Sequence, residues 1–278
     1  MEAPLVILSE IALALYPILI KTVPTNLETQ VISRFLTYTV LGLFFSNTAD
    51  IADVFLKPDG FLYTCSLSLL NIVHIGSSYY AFQQLPAGTG MTLFYMYPIF
   101  TMMIAVLVLG EKATLFQALL IAVAFTGVYL VSLGSKQESK DPYNWKGILA
   151  GLFAAITETL IYFAVKGAPT KTPFHAVLRL YSVGLVALLG LFGSKIQLDA
   201  SVWLPMTLFN TCIGFLGYCL RFYTIPRLPT FLFSLLTFIG VVASFGWGYL
   251  FVNEIPTSYS IAGSALITGA VALSKTLI

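Results

Sequence analysis

Charged residues are scarce in this sequence. Aspartate, glutamate, lysine and arginine together make up 9% of the 278 residues, whereas 58% of the residues are hydrophobic. Soluble globular domains carry roughly 25% charged residues, so this chain lacks the side chains that cover a water-exposed surface. The scarcity of charge excludes an ordinary soluble domain and predicts a protein whose surface faces lipid.

The residues that hold metals or carry covalent catalysis are scarce too. The two histidines and three cysteines are too scattered to match the ligand spacing of a zinc site. Cys65, Cys212 and Cys219 lie inside apolar segments, where we interpret them as small apolar packing residues. The sequence contains no phosphate-binding loop and no nucleophile elbow. We therefore expect no metal, no cofactor and no enzymatic activity.

Long apolar runs, in contrast, fill most of the chain. A membrane-spanning helix needs about 20 mostly apolar residues. Ten segments meet that length: 3–22, 27–46, 60–83, 86–108, 113–134, 147–168, 172–193, 201–223, 229–252 and 257–276. The first segment lacks a basic start and a small-residue cleavage site, so we expect it to be retained. The predicted fold class is an all-α integral membrane protein with ten transmembrane helices.

Loop charges do not determine which way the predicted helices are inserted. Lysines and arginines divide six to five between the two sides of the membrane, so the positive-inside rule gives no decision. An even number of helices puts both termini on one side, which we expect to be the cytoplasm. The formal net charge of +2 is too small to predict a nucleic-acid partner.

The two halves of the sequence repeat each other. Residues 20–35 match residues 165–180 in a register of 145: Lys21 with Lys166, Pro24 with Pro169, Thr25 with Thr170 and Arg34 with Arg179. Residues 80–90 match residues 223–233 in a register of 143, which also carries Glu111 onto Glu254. A two-residue difference in the loop between the second and third helices of each half reconciles the registers.

An odd number of helices in each repeat has a topological consequence. Five helices per half force the second half to enter the membrane upside down, which is the inverted repeat of many secondary transporters. In such proteins the solute site lies near mid-membrane between the repeats. We assign residues 1–134 to the first repeat, 135–146 to a linker and 147–278 to the second repeat.

The segment "LPAGTGMTLFYMYPIFTMMIAVLVLGEKATLFQALLIAVAFTGVYLVSLG" resembles the end of an EamA-type half from the drug/metabolite transporter superfamily. The resemblance rests on Pro86 at the helix start, Pro98 within the fourth helix and Gly110-Glu111 at the hairpin. The second copy keeps Pro229 and Glu254, but it has Val241 and Asn253 in place of Pro98 and Gly110. These departures leave open whether both halves bend alike.

The resemblance implies ten helices around a central cavity, with the fifth and tenth helices outside. Those two helices carry small residues at four-residue spacing, which allow close helix packing: Ala118, Ala122, Thr126, Ala265 and Gly269. The contact they make is either within one molecule or across a homodimer. The resemblance does not identify the solute, because members of the superfamily carry very different ones.

Two carboxylates lie deep inside predicted membrane helices. Ionisable groups at such positions are costly and are candidates for function. At 1.5 Å per helical residue, Glu10 and Glu158 lie roughly 10 and 13 Å from the N-terminal side of the membrane. The two acids therefore come from different halves but lie at similar depth. Each also has a structural interpretation, as a carboxyl group bonded to a neighbouring helix.

Further polar groups are predicted near the midplane. Asn71, Asn210 and Tyr95 fall at about half the membrane depth. His74 lies one turn beyond Asn71 on the same helix face, with Tyr79 nearby. Together they predict a polar-lined cavity with aromatic walls. Helix–helix hydrogen bonding by the amides and the imidazole is the alternative.

A second group of residues is assigned to gating or structure. Arg34 and Arg179 recur in both halves, where they either snorkel to the membrane surface or close salt bridges that gate one state. Arg221, near the end of its helix, is expected to snorkel. Pro98 removes a backbone hydrogen bond and predicts a kink or hinge. Glu111 and Glu254 lie at hairpins and are expected to pair with loop donors.

The sequence favours a secondary transporter that moves a small organic solute by alternating access. A midplane carboxylate either pairs with the amine of a solute or carries a proton, so an amino acid, amine or similar cationic or zwitterionic metabolite is expected. The alternatives are a transporter of anionic solutes, such as a sugar phosphate or nucleotide sugar, and a non-transporting membrane scaffold or receptor.

Overall fold

The computed structural model describes residues 2–85, 87–136, 144–168, 172–253 and 255–273. Within these ranges the chain is helical and has no β-strand. The helices before residue 137 are α1 (Glu2–Leu13), α2 (Tyr16–Thr22), α3 (Leu27–Phe45), α4 (Thr48–Phe55), α5 (Pro58–Gln84), α6 (Ala87–Phe94), α7 (Tyr97–Leu107) and α8 (Leu115–Lys136). Those after residue 143 are α9 (Trp145–Lys166), α10 (Pro173–Phe192), α11 (Ala200–Phe209), α12 (Leu216–Thr224), α13 (Thr230–Thr237), α14 (Ile239–Val252) and α15 (Ser258–Leu273).

Seven helical stretches of the described chain are long and apolar enough to cross a membrane: Glu2–Thr22, Pro58–Gln84, Gly90–Leu107, Trp145–Lys166, Pro173–Lys195, Ala200–Arg227 and Thr230–Val252. Two shorter apolar helices cover Leu115–Leu130 and Ser258–Leu273. An all-helical protein with membrane-spanning character is thus confirmed, whereas the count of ten spans and the inverted repeat stay predictions. Most of the predicted linker, and Glu254, lie outside the described residues.

Apolar and polar side chains are distributed as lipid requires. Large apolar residues cover the outside, for example Phe44 and Leu107, which are 78% and 76% exposed. Ionisable side chains lie inside, among them Glu10, Arg34 and Arg221. In water this distribution would be strongly unfavourable. In a bilayer the exposed apolar side chains contact the lipid acyl chains. The interior of the protein supplies hydrogen-bond and ion-pair partners to the polar groups.

Several helices are broken near their middles. The chain turns at Ala14–Leu15 between α1 and α2, and again at Tyr95–Met96 between α6 and α7. Pro17 and Pro98 sit at the start of the second helix in each case. Since proline cannot donate the helical hydrogen bond, it ends the preceding helix there. The bend expected at Pro98 is therefore present.

The second half also breaks, although it has Val241 at the position of Pro98. The helical path from Thr230 to Val252 is interrupted at Phe238, without a proline. A further irregularity is a π-helical turn at Asn210–Phe215, between α11 and α12. Single π-turns are frequent at functional sites.

Helices α8 and α15 pack side by side at one edge of the bundle. They approach closely at Gly127, where a Cβ atom would lie 2.6 Å from the carbonyl oxygen of Gly263. The small residues for which the sequence left open an intramolecular or a homodimer contact are exposed: Ala118, Ala122, Thr126, Ala265 and Gly269. Of the two alternatives, the intramolecular contact does not hold for these residues, since other faces of α8 and α15 meet. A homodimer through the two helices stays a prediction.

Candidate functional site

Two acids from distant parts of the chain meet on one arginine. Arg221 Nη1 donates to Glu10 Oε1 at 2.9 Å, and Arg221 Nη2 lies 2.5 Å from Glu158 Oε1. None of the three residues exceeds 1% exposure. The prediction that Arg221 snorkels is therefore wrong: α12 turns this face toward α1 and α9, and the guanidinium balances their carboxylates.

His74 completes this charged cluster, which consists of Glu10, His74, Glu158 and Arg221. His74 Nε2 lies 3.0 Å from Glu158 Oε2, at an angle outside hydrogen-bond geometry, so the two groups are close without a hydrogen bond. His74 Nδ1 lies 3.1 Å from the hydroxyl of Thr157. With both carboxylates ionised and the imidazole neutral, these four side chains carry a net charge of −1. The charged cluster therefore attracts one cation or holds one additional proton.

Tyr95 links the charged cluster to the break between α6 and α7. Its hydroxyl donates to Glu10 Oε2 at 2.8 Å. The hydroxyl fits there because residue 240 is glycine: a Cβ atom at Gly240 would overlap it. The ring of Tyr97 faces Arg221 at 4.8 Å from the guanidinium carbon. The helix break thus supplies both an anchor for one acid and an aromatic face for the arginine.

A second buried cation, Arg34, lies in a different environment. Its guanidinium is surrounded by five aromatic rings at 4.5 to 5.8 Å, which we call the tyrosine cage: Tyr16, Tyr38, Tyr79, Tyr181 and Tyr218. Arg34 Nε and Nη2 donate to the Tyr181 hydroxyl, and Nη1 donates to the Tyr79 hydroxyl. Arg34 thus neither snorkels nor closes a salt bridge among the described residues.

Only Tyr79 of the tyrosine cage was predicted as a site residue. The sequence holds 15 tyrosines, and the five of the cage come from α2, α3, α5, α10 and α12. Spacing along the chain cannot indicate a set whose members are each on a different helix. The signal in the sequence that could have indicated a site here is the recurrence of Arg34 as Arg179 in the second repeat.

The two asparagines predicted at the midplane have different surroundings. Asn71 Nδ2 donates to the carbonyl oxygen of Leu180 at 3.0 Å, so this amide joins α5 to α10. Asn210 Oδ1 accepts from the Tyr16 hydroxyl at 3.1 Å, at the start of the π-helical turn. Its Nδ2 is buried and makes no hydrogen bond within the described chain. Asn210, unlike Asn71, adjoins the tyrosine cage.

A small cavity lies between the charged cluster and the tyrosine cage. Its walls include Arg34 and Tyr79 from one and His74 and Arg221 from the other, with Tyr95 between them. Glu10 lies behind the wall and reaches the cavity through its partners Tyr95 and Arg221. The cavity volume is about 20 Å³, which holds about one water molecule. In this conformation the cavity is too small for an organic solute.

Arg179, the repeat counterpart of Arg34, is bound at one end of the bundle. Its Nη2 lies 2.5 Å from Asp53 Oδ2, and His175 Nε2 lies 2.9 Å from the same oxygen. Burial alone would raise the pKa of Asp53, but hydrogen bonds from Arg179, His175 and Lys57 hold that pKa well below its usual range. Asp53 was not predicted, because α4 lies in what the sequence showed only as a loop.

We expect Asp53→Asn to lower the thermal midpoint of purified protein at pH 7, because Arg179 loses its charged partner. A carboxylate with a lowered pKa stabilises the fold above its unfolded pKa and loses that effect as the pH falls through its folded pKa. The difference from the native chain should hold from pH 8 to 5 and shrink below about pH 4. Asp59→Asn, at an exposed acid, is the control. Equal midpoints for Asp53→Asn and native protein would contradict a structural bridge.

Glu111 contacts polar side chains from the second half of the chain. Its Oε1 accepts from the Thr230 hydroxyl at 2.8 Å and lies 3.9 Å from Lys166 Nζ. Glu111 thus connects the end of α7 with the ends of α9 and α13. Its predicted counterpart Glu254 lies outside the described residues.

Residues 1–133 match the model of the EamA-like transporter family. The first half of the chain is thus similar to this family. The pseudopaline exporter CntI of Pseudomonas aeruginosa, strain UCBPP-PA14, is 24% identical over 211 residues, which cover 75% of this chain and 73% of the relative. A probable terminal-alkyne amino-acid exporter of Streptantibioticus cattleyicolor is 25% identical over 200 residues, which cover 68% of this chain and 65% of the relative. The EamA family and these exporters identify the protein as a multi-pass membrane transporter and not an enzyme.

The fold of almost the whole chain is similar to that of one solved structure. One crystal structure superposes with a TM-score of 0.69, covering 99% of this chain and 96% of the other at 17% identity. At this identity the likeness is one of fold alone. The likeness of fold includes the second half, which the family model does not match.

Proposed function

We propose that the protein transports a small amine-bearing metabolite of the amino-acid type across a membrane by alternating access. The observation that carries the proposal is the charged cluster beside a central cavity, where two buried acids share one arginine. With His74 neutral, this cluster has one negative charge in excess. A primary ammonium group compensates that charge and offers three hydrogen-bond donors to the carboxylates and tyrosines.

The architecture that we propose is ten membrane helices in two inverted five-helix repeats. Helices occupy each of the ten predicted segments, and breaks occur in the paths that carry Glu10, Tyr95 and Phe238. Broken helices at a midplane site are typical of secondary transporters with inverted repeats, because the interrupted backbone lines the solute site. The repeated residues Arg34 and Arg179 support the same proposal.

Two sets of contacts between the halves are proposed as gates. At one end, Arg179 and His175 bind Asp53. At the other, the Thr25 hydroxyl donates to Gln197 Oε1 at 2.6 Å and Asn26 Nδ2 donates to the Lys195 carbonyl at 2.7 Å. Both sets join the first half to the second. With both sets closed, a solute site between them would be shut off from both ends, and opening one set at a time would give alternating access.

The relatives support export of an amino-acid-like solute. The printed name of one relative is that of a pseudopaline exporter, and the other is named as a probable terminal-alkyne amino-acid exporter. Both names describe the outward movement of small molecules. We extend the direction to this chain on the strength of these two names, and the charged cluster independently favours an amine-bearing solute.

Proton coupling is proposed as the driving reaction. The excess negative charge of the charged cluster is compensated either by the solute or by one proton on Glu10, Glu158 or His74. Competition between the two for one site is the simplest way to exchange a proton for a solute. An anionic solute is the second candidate, and the observation in its favour is Arg34, whose charge no described carboxylate balances.

The test is transport by purified protein in lipid vesicles, with the twenty standard amino acids as radiolabelled solutes. We expect saturable movement of one or a few of them, faster with an opposing pH gradient. Glu10→Gln should lower the rate about tenfold or more, because charge-assisted hydrogen bonds contribute roughly 1.5–3 kcal/mol. Asp59→Asn should match native protein. Transport of sugar phosphates alone, with Glu10→Gln fully active, would overturn the proposal.

A further inference from the structure

Arg34 is a buried cation that no acid of the described chain neutralises. It is 2% exposed, and no aspartate or glutamate of the described ranges lies within ion-pair distance of it. The other buried arginines are paired: Arg221 with Glu10 and Glu158, and Arg179 with Asp53. Burying a guanidinium without a counter-charge is costly, so its retention at such a position indicates a use.

The tyrosine cage compensates Arg34 only in part. The rings of Tyr16 and Tyr218 lie 4.5 Å from the guanidinium carbon, close enough for cation–π attraction. A guanidinium has five N–H groups. Three of these donate, two to Tyr181 and one to Tyr79, and each acceptor is a neutral hydroxyl. Tyr218 offers a further neutral hydroxyl to the guanidinium. The tyrosine cage therefore contains no negative charge, and the formal charge of Arg34 is left for an anion.

A second donor lies against the same cage. Asn210 is fully buried, its Oδ1 accepts from Tyr16, and its Nδ2 has no hydrogen-bond partner in the described chain. The hydroxyls of Tyr16 and Tyr38 are 2.7 Å apart beside it, and Gly214 of the π-helical turn leaves the room that they occupy. A charged donor and an unused amide donor thus adjoin one ring of tyrosines. A planar anion with two oxygens matches such donors, as carboxylates match arginine.

We propose that Arg34 in the tyrosine cage binds the carboxylate of the transported solute, and that the charged cluster across the cavity binds its amine. This inference rests on the proposed function and narrows its solutes to zwitterions, because Arg34 and Arg221 line one cavity. The two charges of an α-amino acid are only a few atoms apart. The cavity is lined on one side by Arg34, which would bind the carboxylate, and on the other by the charged cluster, which would bind the amine. A phosphate would use Arg34 but would lack a partner for the excess negative charge.

The experiment compares three ligands on purified protein. From the twenty standard amino acids, the tightest binder is selected by its shift of the thermal midpoint, and its dissociation constant is then measured beside those of its carboxamide and its decarboxylated amine. For native protein we expect the carboxamide and the amine to bind about 10- to 100-fold more weakly than the amino acid. Arg34→Gln should bind all three with similar, weak affinity. Arg227→Gln, at an exposed arginine, should behave as native protein.

The other outcomes separate this inference from the proposed function. If Arg34→Gln still prefers the amino acid as strongly as native protein does, the carboxylate site is elsewhere and transport of amino acids stands. If native protein binds the amine as tightly as the amino acid, no carboxylate is recognised, and an amine transporter stands. If no amino acid or amine binds, but inorganic phosphate stabilises native protein and not Arg34→Gln, both proposals are overturned.

If Arg34→Gln does not fold, the variant Tyr181→Phe tests the same inference. Tyr181→Phe keeps the ring but removes the hydroxyl that accepts two of the three bonds from Arg34. It should change the dissociation constant of the amino acid at least severalfold and leave that of the amine unchanged, because only the guanidinium loses its anchor. Equal effects on both ligands would overturn the assignment of the carboxylate to Arg34.

Discussion

Replacing Arg221 with methionine is expected to destabilise the protein by about 3–5 kcal/mol, because it leaves two buried carboxylates without their shared cation. Arg221 is 1% exposed and contacts both Glu10 and Glu158, so neither acid can turn to solvent for compensation. The measurement is the thermal midpoint and the folded yield of purified protein in detergent. Arg227→Met, at an exposed arginine, is the matched control and should unfold like native protein.

Removing the acids should reverse this loss. The triple variant Arg221→Met, Glu10→Gln, Glu158→Gln has no charge imbalance at the site, so we expect most of the native midpoint to return. It should nevertheless be inactive in vesicles, since the groups proposed to hold the amine and the proton are gone. An Arg221→Met protein as stable as the native chain would show that the acids do not depend on this arginine.

Gly240→Ala is expected to abolish transport and to lower stability. The added methyl group would overlap the Tyr95 hydroxyl, so either the ring or α14 must move. Overpacking of this kind costs about 1–3 kcal/mol, and loss of the Tyr95 bond to Glu10 adds to it. Gly246→Ala lies on the same helix with no heavy atom near the added group, and it should keep native stability and transport.

A double-mutant cycle identifies the cause of the Gly240 effect. In a Tyr95→Ala background, Gly240→Ala should cost much less stability than it does in the native chain, because its clashing partner is absent. If the two changes are additive, the damage comes from elsewhere on α14. Transport at the native rate by Gly240→Ala would contradict the importance of the Tyr95–Glu10 contact.

Much of the fold follows from apolar run lengths, which set where helices occur. The estimated depth along each helix also predicted that Glu10 and Glu158 lie at a similar level in the membrane. In the structure both carboxylates contact Arg221. The same reasoning failed for Arg221 itself, because distance from a helix end does not show which face of the helix is buried. Pro98 predicted one helix break, whereas the break at Phe238 has no such local signal.

The rest of the site depends on contacts between helices that are distant in sequence. The tyrosine cage draws one ring from each of five helices, and the bridge between Asp53 and Arg179 joins a loop helix to the second half. Neither has a spacing that a single sequence displays. The composition predicted that polar side chains would be buried. Which side chains contact one another could be identified only from the packing of the helices.

The charged cluster also constrains how the protein is made. Glu10 is synthesised 211 residues before Arg221. At typical translation rates of about 5–20 residues per second, the first helix precedes its counter-charge by about 10 to 40 s. For that time an acid in an otherwise apolar helix has to stay near water, headgroups or the insertion machinery. Membrane integration of the first half is therefore completed only when the second half arrives, and a chain interrupted between the halves would leave Glu10 without a partner and exposed to quality control.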